Sequence, residues 1–388
     1  MISLLLVIIY TAFISLGLPD GLLGSAWPSI SGQLNVPVAF AGVVSMIIAG
    51  GTIVSSLCSD RLIRRLGTGV TTFLSVATTA LALFGFSWSA EFWQLCLWAI
   101  PYGLGAGSVD AALNNYVALH YSSRHMSWLH CFWGVGASLG PYIMGSCLTR
   151  NLPWTSGYRE VGYIQIVLSV VLLACLPLWG EKREKQASGK SKTAHLGLKQ
   201  TLALPGAKPA FIAFCCYCGL ETTVGLWASS YLVLHRGMTA TVAAKYASLF
   251  YLGITIGRFF CGFISNRMGD RKMVRFGQSL ITIGILLLFI PRASLVSFVT
   301  IGLGCAPVYP SLLHATPRHF GAANSQSIMG IQMASAYVGS TFLPPVFGFL
   351  AGKTTIALLP WYLACFLVLM FVCTELLEAK AGRSFLDE

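Results

Sequence analysis

The ten residues SLCSDRLIRR (56–65) end one apolar run of the chain and precede another. The run before them covers Pro37–Cys58 and the run after them covers Thr68–Trp88. Each is long enough to cross the hydrocarbon core of a bilayer, about 30 Å, as a helix. An acid and three arginines between two such runs are typical of a short loop at a membrane surface. The segment therefore favours an all-α membrane protein.

The composition of the whole chain agrees with this interpretation. Of the 388 residues, 55% are hydrophobic and only 10% are charged, whereas about 25% are charged in an ordinary soluble protein. So few charges cannot cover the surface of a water-soluble fold of this size. The composition excludes a soluble enzyme, a disordered chain and a nucleic-acid binder. The net charge of +12 is attributed to basic loops that set membrane topology.

Working outward from residues 56–65, the sequence predicts twelve membrane-spanning helices in two sets of six. The first set is Ile2–Trp27, Pro37–Cys58, Thr68–Trp88, Phe92–Leu119, Ser127–Leu148 and Val161–Trp179. The second set is Pro209–Leu234, Val242–Ile264, Met273–Ile290, Ser294–Ala315, Ser325–Leu350 and Thr355–Leu377. The first run lacks a basic segment and a small-residue cleavage site, so it is expected to be a retained helix and not a signal peptide.

One long polar stretch, residues 180–208, separates the two sets. It carries seven lysines and arginines against two glutamates, which predicts a cytoplasmic position by the positive-inside rule. We therefore expect an N-terminal six-helix bundle (1–179), a cytoplasmic basic linker (180–208), a C-terminal six-helix bundle (209–378) and a cytoplasmic tail (379–388). The basic loops at 60–65, 121–124 and 267–272 are expected on the same side. This topology predicts a multi-pass protein of the cytoplasmic (inner) membrane with both termini in the cytoplasm.

The two predicted bundles resemble each other at a nearly constant offset. GLGAGSVD (103–110) aligns with GLGCAPVY (302–309), Asp20-x-x-x-Gly24 with Glu221-x-x-x-Gly225, and Pro141–Gly145 with Pro344–Gly348. The three offsets lie between 199 and 203 residues, which indicates duplication of a six-helix unit. Two parallel halves of this kind are a plan found in transporters.

Residues 56–65 have a counterpart, GFISNRMGDRK (262–272), after the eighth predicted helix. Both segments resemble the Gly-x-x-x-Asp-Arg-x-Gly-Arg-Arg signature of the major facilitator superfamily. Ser56 and Ile63 replace glycines in the first copy, and Asn266 replaces the acid in the second. The resemblance covers the whole chain and implies that superfamily's fold of twelve helices in two pseudo-symmetric bundles. It implies a conformational gate formed by Asp60, Arg61, Arg64, Arg65, Asn266, Arg267 and Arg271.

Three of the thirteen acids, Asp20, Asp110 and Glu221, lie inside predicted spans. A charged side chain at the centre of a bilayer costs about 2.5–3.5 kcal/mol on insertion scales, so such residues usually face a cavity, pair with another group or carry protons. Burial disfavours the carboxylate anion and therefore favours proton binding. The sequence predicts that these three acids are proton-coupling groups.

Several short segments resemble the bacterial fucose:proton symporter family, which includes glucose, galactose and mannose carriers. They are Asp110-x-Ala112-x-Asn114 in the fourth helix, Tyr217-x-Gly219-x-Glu221 in the seventh, and Tyr309-Pro310 in the tenth. Asp20 falls where that family has its first-helix aspartate. The fourth-helix acid is Asp where the family has Glu. The resemblance implies that Asp20 and Asp110 serve coupling and substrate binding, without deciding which does which.

Further polar and aromatic residues of the spans are candidates for substrate contact. Amide groups can bind hydroxyl groups, aromatic rings can stack on apolar sugar faces, and a histidine can relay protons. Together with Asp110, the predicted substrate-binding residues are Asn114, Asn115, His130, Trp133, Trp227, Tyr309 and Gln332. Arg258, toward the predicted cytoplasmic end of the eighth helix, is interpreted as a structural or snorkelling residue.

These patterns favour a secondary active transporter, not an enzyme, that moves a neutral sugar, a hexose or deoxyhexose, together with a proton by alternating access. No Walker-type loop is present, so ATP is not expected to drive it directly. No cofactor and no metal site are expected. The small-molecule substrate, the lipid bilayer and a monomeric state complete the prediction. A proton-driven multidrug exporter, a sodium-coupled sugar symporter and a membrane receptor or scaffold remain alternatives.

Overall fold

The fold is described from a computed structural model that covers residues 4–37, 40–179, 198–238 and 240–384. All regular structure in these ranges is helical. Much of the predicted linker, residues 180–197, lies outside the described residues, as does the end of the predicted tail, 385–388.

The chain divides into two compact units. Unit one comprises Met1–Tyr116 and Leu129–His195, and unit two comprises Val117–Trp128 and Leu196–Glu388. The helices that begin in the first half are α1 (Leu4–Gly17), α2 (Leu22–Leu34), α3 (Phe40–Leu66), α4 (Thr68–Trp88), α5 (Phe92–His120), α6 (Ser123–Thr149) and α7 (Trp154–Ala174). The end of α5 and the start of α6 thus belong to unit two.

The second half of the chain supplies the remaining helices of unit two. They are α8 (Leu198–Ala203), α9 (Ala207–Leu234), α10 (Ala240–Met268), α11 (Asp270–Leu288), α12 (Ser294–His314), α13 (Thr316–Phe320), α14 (Ala322–Lys353) and α15 (Leu359–Ser384). Short 3₁₀ turns at Pro291–Ala293 and Ile356–Leu358 precede α12 and α15.

In the described ranges each predicted run falls mainly on helical structure, and nine helical stretches are long and apolar enough to cross a membrane. The helices α5, α6 and α11 fall outside that set. Each of them carries charged or strongly polar residues in its first or last turns, such as Arg124 on α6 and Asp270 on α11. The chain is therefore a multi-pass membrane protein, while the number of twelve spans stays a prediction.

The first predicted run forms two helices, where one was expected. The break between α1 and α2 covers Leu18–Gly21 and includes Pro19 and Asp20. Proline has no N–H to donate and its ring obstructs the carbonyl of the preceding turn, so Pro19 disfavours a regular helix through this segment. The break places a carboxylate at a helix end inside an apolar segment.

Large apolar side chains are exposed along the outer faces of both units. Examples are Val167 and Val170 on α7 and Phe342, Phe349 and Val368 on α14 and α15, which are all at least half exposed. Such a surface is stable in a hydrocarbon solvent and not in water. It is the expected lipid-facing surface.

Equivalent glycines set equivalent helix crossings in the two units. A Cβ on Gly103 of α5 would overlap the backbone carbonyl of Ile48 on α3, and a Cβ on Gly302 of α12 would overlap that of Phe250 on α10. Small residues at these positions let the helix backbones touch, as is common in membrane proteins. The two matching crossings agree with the repeat predicted from the sequence.

Candidate functional site

Asp20 lies in the break between α1 and α2, where the side chains of α5 and α6 reach it. Tyr102 donates its hydroxyl hydrogen to Asp20 Oδ1 at 3.1 Å, and Trp133 donates its indole N–H to Asp20 Oδ2 at 3.0 Å. The residue is exposed in spite of these contacts. Both carboxylate oxygens therefore accept a hydrogen bond from an aromatic side chain, while the group stays open on one side.

Asp110 lies in a separate polar chain between α5 and α6. Asn114 donates its amide to Asp110 Oδ1 at 2.8 Å, and His130 Nε2 lies 3.0 Å from Asn114 Oδ1. Asp110, Asn114 and His130 are all buried. The i, i+4 spacing on α5 brings the amide over the acid. This arrangement links an acid to a titratable imidazole through one side-chain amide.

Asn115 continues this polar face but differs from its neighbour in its contacts. Its Oδ1 atom is buried and has no hydrogen-bond partner among the described residues. An unpaired buried amide oxygen costs about 1–3 kcal/mol. Such a cost is tolerable where a substrate hydroxyl or a water molecule completes the hydrogen bond, so Asn115 remains a predicted substrate-binding residue.

The spacing along two helices connects the groups of unit one. Tyr102 and Asp110 are eight residues apart on α5, about 12 Å along the axis, and His130 and Trp133 are one turn apart on α6. A small pocket beside them is lined by Ser15, Pro19, Val76, Thr79, Tyr102, Val109 and Gln165, among others. Two of these lining residues pair with each other. The Ser15 hydroxyl donates to Gln165 Oε1 at 2.7 Å, and Gln165 Nε2 donates to the backbone oxygen of Ser15 at 2.6 Å.

The third predicted acid, Glu221, lies in unit two and is paired. Arg258 Nη2 is 3.7 Å from Glu221 Oε1, and their side chains are 6% and 19% exposed. Arg258 was predicted to be a structural or snorkelling residue; the buried ion pair fits the structural alternative, and the snorkelling alternative is wrong. Its guanidinium turns inward because a buried carboxylate on the neighbouring helix compensates its charge.

Two tyrosines frame this ion pair. Tyr217 lies one turn before Glu221 on α9 and donates its hydroxyl hydrogen to the backbone oxygen of Cys305 at 2.8 Å. Tyr309 on α12 packs against Tyr217, with ring centroids 5.8 Å apart, and its hydroxyl lies 3.2 Å from Met333 Sδ. The predicted residue Tyr309 therefore lies beside the Glu221–Arg258 pair.

Two other predicted substrate residues of unit two lie in separate contacts. Trp227 donates its indole N–H to the backbone oxygen of Pro344 at 2.9 Å and packs against Phe347. Gln332 is buried and accepts a hydrogen bond from Thr316 at 3.0 Å. Both side chains hold helices together through these contacts, and their substrate roles stay predictions.

The two copies of the loop motif differ in their contacts. In the first copy, Asp60 is buried and Arg64 donates to its Oδ1 atom at 2.9 Å, whereas Arg61 and Arg65 are exposed. The i, i+4 pair closes the end of α3, where arginine also compensates the negative end of the helix dipole.

In the second copy, the motif residues receive the start of α6. Asn266 Oδ1 accepts the backbone N–H of Arg124 at 3.3 Å, and the backbone oxygen of Gly262 accepts Arg124 Nε at 3.2 Å. A Cβ on Gly262 would overlap the indole of Trp128. Arg267 is exposed, and Arg271 lies 3.5 Å from Glu375.

Sequence reasoning missed the pairing role of Arg258 and the contact of Gln165 with Ser15. It considered Tyr102 only as a ring that could stack on a sugar and did not predict its hydrogen bond to Asp20. The pairing of Arg258 with Glu221 and of Gln165 with Ser15 bridges residues distant in sequence, and no local pattern signals it.

The geometry of unit one suits reversible binding of a proton and of hydroxyl groups. Each carboxylate oxygen of Asp20 accepts one hydrogen bond and keeps a lone pair that can bind a proton. Asn114 connects Asp110 and His130 through hydrogen bonds. The same side chains present both donors and acceptors, as a neutral polyhydroxy ligand requires. No step that makes or breaks a covalent bond follows from this arrangement.

Comparison with known proteins places these sites in context. A profile of the Major Facilitator Superfamily matches residues 9–246 and 209–384. The chain is 25% identical over 317 residues to the glucose/mannose transporter GlcP of Bacillus subtilis, a match that covers 78% of this chain and 77% of that protein. It is 23% identical over 370 residues to the cis,cis-muconate transport protein of Acinetobacter baylyi, covering 89% and 88%.

The fold is also similar to that of a solved transporter. The structure matches that of a variant of the E. coli fucose:proton symporter FucP with a TM-score of 0.74. The sequences are 15% identical, and the match covers 97% of this chain and 98% of that one. At this identity the likeness establishes the fold alone.

Proposed function

The chain belongs to the major facilitator superfamily, and from that premise we propose that it carries a neutral hexose or deoxyhexose together with a proton. Members of this family are transporters and not enzymes. Transport by alternating access moves the substrate in the direction set by the proton gradient. The protein is proposed to be a monomer in the inner membrane, with both termini in the cytoplasm.

The observation that carries the proposal is the polar chain of unit one. Asp110 is buried within an apolar helix and is linked through Asn114 to His130. A buried acid in a membrane-spanning segment is energetically costly, and such residues usually have a function. The neighbouring amides and the Tyr102 hydroxyl supply donors and acceptors for sugar hydroxyls. A glucose/mannose transporter among the relatives supports the same substrate class.

The charge balance of unit two argues for a neutral substrate. A relative named for cis,cis-muconate raises an anionic substrate as a second candidate, and Arg258 is a buried cation that could attract one. Glu221 already lies beside that guanidinium, so the pair has no net charge. A carboxylate ligand would have to displace Glu221, and we therefore favour the sugar.

The experiment is uptake into proteoliposomes under an imposed pH gradient, with and without sodium, over a panel of monosaccharides, cis,cis-muconate and cationic dyes. We expect the proton gradient to drive sugar uptake without sodium, and the protons that enter with the sugar to acidify the vesicle interior. Sugar uptake that requires sodium would show that sodium, and not the proton, is the coupling ion. Dye extrusion without sugar uptake would contradict the proposal in favour of an exporter.

Two variants test the acids directly. Asp20→Asn and Asp110→Asn should each abolish proton-coupled uptake, because an amide cannot bind and release the proton. The matched control is Glu91→Gln, which changes an exposed acid that precedes α5 and belongs to neither cluster. Wild-type coupling in both Asn variants would refute the assignment. Stabilisation of the purified protein by the transported sugar in a thermal-shift assay would identify the ligand independently.

A further inference from the structure

The turn between α5 and α6 is bound within unit two by a histidine and an aspartate. We call residues 117–128 the α5–α6 turn. Ser123 donates its hydroxyl hydrogen to Asp270 Oδ1 at 2.7 Å, and Asp270 Oδ2 lies 2.8 Å from His314 Nδ1. The other ring nitrogen, His314 Nε2, lies 3.1 Å from the backbone oxygen of Tyr121. Asp270 begins α11 and His314 ends α12.

These contacts need one proton more than an ionised aspartate and a neutral histidine provide. Both ring nitrogens of His314 face oxygen atoms, and a backbone carbonyl can only accept a hydrogen bond. A neutral imidazole has a single N–H, so it can satisfy only one of the two contacts beside an ionised carboxylate. Either His314 carries both protons, or Asp270 holds a proton and donates it to Nδ1. In both states the pair binds the same extra proton.

The surroundings leave that proton to this pair. The charged and titratable groups around it are Arg271 and Arg275 on α11, Arg318 and His319 on α13, Glu375 and Glu378 on α15, and His120, Arg124 and His125 in the turn itself. Arg275 binds Glu375 at 2.6 Å, and both Arg318 and His319 bind Glu378 at 3.0 Å. The two glutamates are thus engaged elsewhere, and the carboxylate in contact with His314 is Asp270.

The balance of charges makes the proton removable. Arg318 lies close enough to repel a positive charge on His314, while Asp270 attracts it at 2.8 Å. The side chains of His314 and Asp270 are 20% and 11% exposed, so the solvent can exchange the proton. Opposed influences of this kind are how histidine comes to switch near neutral pH.

We propose that His314 and Asp270 form a proton-binding site, distinct from the acids of unit one, that holds the α5–α6 turn against α11 and α12. The protonated pair makes all three hydrogen bonds to the turn and between its members. Loss of the proton leaves a lone pair of His314 facing either Asp270 or Tyr121, and the turn is held less tightly. The pair binds the proton more tightly when the turn is in place than when it is free. The turn is therefore held most strongly at low pH, and the hold weakens as pH rises.

The site does not depend on what the protein transports, so its test does not use transport. Hydrogen–deuterium exchange of residues 117–128 is measured on the full-length protein in nanodiscs between about pH 5 and pH 9, which spans the titration of histidine. Rates are corrected for the intrinsic pH dependence of exchange. In the wild type, protection of the turn should fall as pH rises, by at most about tenfold per pH unit for one proton.

The decisive variant is Asp270→Asn. Its amide oxygen can still accept from Ser123 and its N–H can donate to His314 Nδ1, so a neutral His314 can still donate to Tyr121. We expect the turn to stay protected with no dependence on pH. His314→Leu should lower the protection of the turn at every pH and remove its pH dependence, because it removes the contacts with Asp270 and Tyr121 and leaves the hydrogen bond from Ser123 to Asp270.

Two controls isolate the proton from the other contacts. Ser123→Ala should lower protection but keep the pH slope, because the hydroxyl does not titrate in this range. His319→Gln should leave protection and slope unchanged, because His319 pairs with Glu378. A wild-type turn whose protection is flat across the range, or an Asp270→Asn protein that titrates like the wild type, would overturn the proposal.

Discussion

The pair of Glu221 and Arg258 shows how a buried charge constrains a single residue. Glu221→Gln would leave Arg258 buried without a counter-charge, and breaking a buried pair in this way costs roughly 3–5 kcal/mol. Arg258→Gln should cost less, since a carboxyl group can neutralise itself by taking up a proton and a guanidinium cannot. We expect the loss in the Arg258→Gln protein to shrink as pH falls. Thermal unfolding in one detergent at several pH values measures both.

The double variant Glu221→Gln/Arg258→Gln is the control for this prediction. Two neutral amides leave no lone charge, so most of the lost stability should return, and proton-driven uptake should remain if coupling uses the acids of unit one. A Glu221→Gln protein as stable as the wild type would show that the two charges do not depend on each other. Loss of coupling in a stable double variant would make Glu221 a proton carrier.

The acids could be predicted from the sequence, and most of their partners could not. Asp20, Asp110 and Glu221 are conspicuous because a carboxyl group in an apolar run needs a physical reason. Asn114 followed from its i, i+4 spacing to Asp110. The partners Trp133 and Arg258 lie 113 and 37 residues away from their acids, and those contacts depend on how helices pack rather than on any local pattern.

At the scale of helices, glycines decide how closely the elements of each unit cross. Gly103→Ala and Gly302→Ala would each drive a methyl group into a backbone carbonyl of the facing helix. Forcing extra volume into such a contact typically costs about 1–3 kcal/mol. We expect both variants to unfold at lower temperature than the wild type and to transport more slowly, because α3 and α5, or α10 and α12, must separate.

Gly50→Ala is the matched control on α3. Nothing lies within 4 Å of a Cβ built at this position, and alanine has the higher intrinsic helix propensity. The variant should be as stable as the wild type or slightly more so. Equal thermal stability of the Gly103→Ala and Gly50→Ala proteins would show that the close crossing does not limit stability.

The helices themselves were accessible from the sequence because apolar runs of the required length are long and unambiguous. The break at Pro19 was not predicted, although proline is the residue that interrupts a helix; the apolar run on both sides hid it. The second motif copy was found by its pattern, but its use in binding Arg124 and Trp128 was not. A loop motif identifies a position, whereas its contacts depend on the neighbouring helix.

At the scale of the whole chain, the sequence predicted two halves joined at residues 180–208. The compact units show one feature that this division lacks, because Val117–Trp128 belongs to the unit formed by the second half. The hydrogen bond from the backbone N–H of Arg124 to Asn266 Oδ1 spans 142 residues of chain. It also brings together two of the three basic loops that were predicted on one side of the membrane.

The orientation of the chain depends on whether α11 crosses the bilayer. This helix carries Asp270, Arg271, Lys272 and Arg275 near its start and is apolar from Phe276 onward apart from a few polar side chains. These charges make the helix as a whole less hydrophobic than its neighbours. Such charges at one end suit a span that begins at the cytoplasmic surface.

We therefore predict that a phosphatase reporter, active only outside the cytoplasm, is active when fused after Arg292 and inactive when fused after Gly321. A reporter that is fluorescent only in the cytoplasm should give the reverse pattern and serves as the control. The reverse pattern, inactive after Arg292 and active after Gly321, would mean that α11 does not span whereas α12 does, and the C-terminus would then lie opposite to the side predicted from the basic loops.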